Sequence, residues 1–76
     1  LESMERLALV KRIEAELLKH EVDLKFLTIE IRDEALADIS GLVFTPDMVD
    51  EMPAIVRRVP GVRDVDSRVV LMPAGV

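Results

Sequence analysis

The stretch VRRVPGVRDVDSRVVL, residues 56–71, changes its hydrophobic period at Pro60-Gly61, and that change decides the fold. Before the break, Met48, Met52, Ile55, Val56 and Val59 recur at spacings of 3, 4 and 7, one apolar stripe of a helix. After it, Val65, Ser67, Val69 and Leu71 alternate with Asp64, Asp66, Arg68 and Val70, the period of two that a strand requires. Proline disfavours the continuation of a helix, and glycine adopts the backbone conformations that commonly follow a helix end. Gly61 is therefore expected just past the helix, in the left-handed region or another glycine-favoured conformation.

Working back from this junction, Thr45-Pro46 starts the helix, with Thr as N-cap and Pro at the first helical position. Asp47, Asp50 and Glu51 fall in the first turns, where the helix dipole favours acids. Pro53 conflicts with this, because an interior proline removes a backbone bond and costs about 3 kcal/mol. Either a kink at Pro53 or a regular helix that begins near it is expected. Further back, FLTIEIR (26–32) alternates, with Leu27, Ile29 and Ile31 on one face and Phe26, Thr28, Glu30 and Arg32 on the other. A tight turn DEA (33–35) leads to LADISGLVF (36–44), where Ala37, Ile39 and Val43 share a face. Gly41 marks a bulge or a close backbone approach. Residues 4–20 read as an amphipathic helix capped by Ser3, with Leu7, Leu9, Val10, Ile13, Leu17 and Leu18 on its apolar face.

The expected order is α-β-β-α-β. The first two strands form an antiparallel hairpin, and the helix between the second and third makes those two parallel. The fold class is thus α/β in the α+β sense: a two-layer sandwich with both helices on one face of a three-stranded mixed sheet.

Size and composition limit the function. Seventy-six residues make a single domain, 1–76 with a core over about 4–72, expected to be a piece of a longer protein. Without cysteine, disulfides and thiolate metal sites are unavailable, and apolar burial must carry the fold. No apolar run approaches the roughly 20 residues of a membrane span. The net charge of −5 is uneven: residues 1–52 carry 13 acids against 6 Lys/Arg, and residues 53–76 carry 2 against 4. The acidic total argues against nucleic acid as a partner.

ISGLVFTPDMVDEMPAIVRRVPGVRDVDSRVVL (39–71), preceded by TIEI, resembles the BON domain, a small bacterial module of α-β-β-α-β order. Gly41, Val43, Gly61, Val62, Val65, Val69 and Leu71 stand at the positions of its strand, Gly-Val and final-strand pattern, and the likeness spans about residues 7–72. The chain departs from the pattern at Ala35, which stands where a turn glycine is usual, so a different turn geometry is expected there. Ser67 and Pro53 also depart from it. The resemblance implies a non-catalytic interaction module of the periplasm or cell envelope, where such domains contact proteins or phospholipid surfaces. Other members of the family sit on cytoplasmic regulatory proteins.

The residues alone offer little chemistry. His20, at a helix end, suits the negative end of the dipole better than a metal or a catalytic role. Ser3, Ser40 and Ser67 lack a neighbouring base. Asp33/Glu34, Asp50/Glu51 and Asp64/Asp66 are too few per loop for calcium. Met48 and Met52 suit a core better than a soft metal, and the three glycines are too far apart to cradle phosphate. No enzyme activity, cofactor or metal is expected. Arg57, Arg58, Arg63 and Arg68 are the candidate contact residues, since arginine is the one hot-spot residue type the chain supplies. Their expected partners are other domains of the parent protein, a protein partner or, weakly, an anionic lipid surface. The isolated domain is expected to be a monomer or a weak oligomer. The alternative class is a ligand-sensing module like the ACT domains, which would need a further strand, with VDLKF (22–26) as the only candidate.

Overall fold

The computed structural model describes residues 3–73. Helix α1 (Ser3–Lys19) is followed by strands β1 (Leu27–Arg32) and β2 (Leu36–Val43), helix α2 (Pro46–Arg57) and strand β3 (Asp64–Leu71). β2 is the central strand. It pairs antiparallel with β1, from Leu27 opposite Gly41 to Arg32 opposite Leu36. It pairs parallel with β3, from Leu36 opposite Asp64 to Val43 opposite Leu71. A three-residue loop suffices for the antiparallel pair, whereas the parallel pair needs the α2 crossover. Both helices lie on one face of this sheet, giving the expected two-layer sandwich.

The core lies between the layers. Leu9, Ile13 and Leu17 of α1 and Met52, Ile55 and Val56 of α2 meet Ile31, Ala37, Ile39, Val43 and Val69 of the sheet. The apolar face of α1 is narrower than its sequence pattern suggests: Leu7 and Leu18, expected on the buried side, are exposed. The helix includes Ser3, expected as its cap, and ends in a pair of crossed bonds. Val22 N–H donates to the Leu17 carbonyl (3.1 Å) and Glu21 N–H to that of Leu18 (3.0 Å). This Schellman closure puts Glu21 in the left-handed region at φ 61° and tucks Val22 beside Leu17.

Several boundaries differ from expectation for physical reasons. Phe26 belongs to a 3-10 turn, Leu24–Phe26, whose start is capped by the Asp23 carboxylate accepting from Lys25 N–H at 3.0 Å. VDLKF therefore supplies no strand. Phe44 likewise falls beyond the end of β2. The loop after β1 keeps the left-handed backbone despite lacking glycine, with Glu34 at φ 61° and Ala35 at 59°, so the expected change of turn geometry is not found. Ala35 holds this conformation while its methyl is buried in the core. Gly41 makes a close approach and no bulge, because the β1–β2 register is continuous and a Cβ at Gly41 would run into the Phe26 carbonyl oxygen.

α2 runs unbroken through Pro53, so its regular part begins at Pro46 and not near Pro53. Thr45 takes the N-cap position with an extended backbone, but its hydroxyl makes no capping bond. The helix ends at Arg57, three residues before Pro60. The reversal itself is a Val59-Pro60-Gly61-Val62 turn closed by Val62 N–H to the Val59 carbonyl at 3.1 Å. Gly61 has φ 100°, which type II turns require at their third position. On β3, Val65 and Ser67 are half-buried and Val69 is buried, whereas Leu71, expected on the inner face, is exposed at the strand end. The sequence reads as closing on a Pro73-Ala74-Gly75 tail, of which Ala74 and Gly75 lie outside the described residues.

Candidate functional site

The helices cover one face of the sheet and leave the other bare. Strand alternation directs Glu30 and Arg32 of β1, Asp38, Ser40 and Leu42 of β2, and Asp66, Arg68 and Val70 of β3 to this uncovered face. The register aligns Glu30, Asp38 and Asp66 in one row across the three strands. Three carboxylates side by side would repel, and two arginines from the adjoining rows offset this. Arg32 Nε donates to Asp38 Oδ2 at 2.6 Å, and Arg68 Nη2 donates to Asp38 Oδ1 at 2.6 Å.

The Asp38 carboxylate is thus clamped from both edge strands, and the two guanidinium groups leave the residue only 4% exposed. Hydrogen bonds from Arg68 and then Arg32 hold its carboxyl below the usual carboxylate range, outweighing the opposite effect of burial. The same bonds raise both arginines above their ordinary value. Both arginine side chains stay more than half exposed, with Arg32 also 3.8 Å from Glu30, so the cluster presents guanidinium edges interleaved with carboxylates.

The other end of the sheet is apolar. Phe26, just before β1, and Phe44, just after β2, meet edge to face with centroids 5.4 Å apart. Leu42 pairs with Val70 across β2 and β3 nearby, and Phe26, Phe44 and Val70 are all exposed. Both phenylalanines of the chain are therefore spent at the surface of one sheet end.

The four candidate arginines separate. Arg68 lies on the uncovered face, bound to Asp38. Arg57, the last residue of α2, bonds Asp64 Oδ1 at 3.2 Å. Arg58 caps the helix end, and Arg63 lies just before β3, its backbone N–H bonded to the Ala35 carbonyl at 3.1 Å. Among the described residues, neither of these two side chains makes an ion pair. Of the motif positions, Gly41 and Gly61 are set by backbone geometry, and Val62 and Val65 are half-buried against the core. The clamp on Asp38 and the aromatic pair were not singled out from sequence. The signal for the clamp is the parity of β2, which turns Asp38 away from Ala37 and Ile39, whereas Phe26 and Phe44 lie outside the strands and carry no such signal.

No arrangement for catalysis is apparent among the described residues. His20 Nε2 faces only Glu16 Oε1, at 3.8 Å. Among the described residues, no three His, Asp or Glu side chains converge as a metal would need. The Ser67 hydroxyl is buried on the helix side of the sheet without a hydrogen-bond partner. Surface depressions are shallow and open. One of about 330 Å³ is lined by Asp33, Glu34, Leu36, Arg63 and Asp64, and one of about 260 Å³ lies between α1 and Gly61. A comparison with protein-family models finds no match, and neither does a comparison with curated protein sequences.

Proposed function

We propose that this domain is a non-catalytic interaction module of the BON-like kind, which docks the uncovered face of its sheet on another domain or a protein partner. The observation that carries this reading is the apolar end of that face, where Phe26, Phe44 and Val70 are exposed around the half-buried Leu42, beside the guanidinium of Arg68. Aromatic residues, phenylalanine among them, and arginine are the side chains enriched in the cores of protein interfaces. The α-β-β-α-β order and the backbone-determined glycines at 41 and 61 support the resemblance, and with it a bacterial envelope setting. The ligand-sensing alternative is weakened because Leu24–Phe26 forms a 3-10 turn where an added strand would be needed.

The test is NMR titration of the domain with flanking segments of its parent polypeptide and, separately, with phosphatidylglycerol vesicles. Protein docking predicts shift changes at Leu42, Phe44, Arg68 and Val70, lost in a Phe26→Ser/Phe44→Ser variant of unchanged fold. Binding to vesicles alone, abolished by replacing Arg57, Arg58, Arg63 and Arg68 with Gln, would move the assignment to a lipid surface.

A further inference from the structure

Helix α1 carries a second apolar stripe that its own domain does not use. Met4, Leu7 and Leu18 are 83%, 59% and 59% exposed, although each is a large apolar side chain. With Lys11 and Glu14 they occupy positions 4, 7, 11, 14 and 18, alternating steps of three and four residues, which is the heptad spacing of a helix–helix seam. At 3.6 residues per turn this seam lies roughly 140° around the helix from the buried Leu9, Ile13 and Leu17. Beside it sit Ala8 and Ala15, both exposed and small enough to let another helix approach closely. A surface helix normally carries one apolar stripe, so large apolar side chains on a second side mark a surface for a partner.

We infer that the occupant of this stripe is α1 of a second copy of the chain, packed antiparallel. Charge decides between the orientations. Antiparallel helices place each first-type seam position against a second-type position of the partner, so Leu7 meets Leu18 of the other copy and Lys11 meets Glu14. Lys11 and Glu14 already lie 3.5 Å apart within each helix. The two copies would therefore close an alternating ring of four charges between two leucine layers. A parallel pair would instead set Lys11 on Lys11 and Glu14 on Glu14, which is repulsive. A charged layer at the centre of a seam fixes register at a cost in strength. A single seam on a 17-residue helix also falls at the small end of specific interfaces. The dimer is accordingly weak, with a Kd between about 1 µM and 1 mM.

Sedimentation velocity over a dilution series tests this directly. The unmodified domain should move from monomer to dimer as concentration rises. Leu7→Glu should abolish the shift without lowering the melting temperature, since Leu7 contributes little to the core. Lys11→Glu and Glu14→Lys should each weaken association at least tenfold, and the double exchange should restore it. A domain that remains monomeric at 1 mM, a dimer indifferent to Leu7→Glu, or a double exchange that fails to recover association would each overturn the proposal. Because these positions lie on the helix layer, their substitution leaves docking through the bare sheet face unchanged, so the two surfaces are read separately.

Discussion

Among the described residues, Glu21, Glu34 and Ala35 hold φ near +60°, where a side chain costs about 1–2 kcal/mol. Gly41 and Gly61 hold positive φ without that cost. Glycines announced their positions in the sequence, because a break in either hydrophobic period at a glycine has few explanations. The left-handed glutamates announced nothing, since glutamate is a good helix former whose sequence context gives no sign of a Schellman closure. Glu21 is the cleaner test, because it is exposed and its geometry is fixed by the two crossed bonds from residues 21 and 22. Replacing it with glycine removes the strain but adds disorder to the unfolded chain, a partial offset. Glu21→Gly should stabilise the domain by about 0.5–1 kcal/mol, a rise in melting temperature of roughly 2–8 °C. A calorimetric scan of both proteins checks it; a fall would mean that the glutamate makes a contact worth more than its backbone strain.

At the scale of elements, periodicity located α1, α2 and all three strands, because each buries one face and so must repeat with its own period. It located the edges of those faces less well. Leu7 and Leu18 fit the sequence stripe of α1 but lie outside its covered arc, since a sheet one layer thick reaches only part of a helix circumference. The clamp on Asp38 was legible only in outline. Strand parity turns Asp38 away from the core, but its partners Arg32 and Arg68 are 6 and 30 residues away, and only the register brings them together. Pro53 is the remaining conflict between sequence and element. The helix passes through it unbroken, so the bond that residue 53 would donate to the Val49 carbonyl is missing. The sequence on both sides supplies enough buried contact, through Met52, Ile55 and Val56, to hold the helix regardless. Pro53→Ala should therefore stabilise the domain by about 1–3 kcal/mol, measured as an increased urea midpoint at constant m-value. No gain would show that the ring of the half-buried proline packs as well as the helix bond it displaces.

For the molecule as a whole, each layer keeps one surface free: the outer stripe of α1 on the helix side and the bare face on the sheet side. A two-layer fold of this size cannot cover both sides of its sheet, so the uncovered side needs its own means of holding three strands together. Asp38 supplies it, linking β2 to β1 through Arg32 and to β3 through Arg68. Its carboxyl is depressed in the folded state, so it releases its proton more readily folded than unfolded. The stability it contributes is complete above the unfolded value, about pH 3.9. It disappears as pH falls through the lower folded value, because protonation removes the charge that both arginines grip. Asp38→Asn should therefore be less stable than the unmodified domain at pH 7, by the same margin down to about pH 5. The gap should then narrow as pH falls below the unfolded value and through the lower folded one, as the native carboxyl itself becomes neutral. Comparing the two proteins cancels the titration of the other acids, which both share. Urea unfolding of each at pH 7, 5, 4, 3 and 2 gives the difference directly. A gap that stays constant across the series would mean that Asp38 acts through shape and neutral hydrogen bonding, with its charge contributing nothing to the cohesion of the bare face.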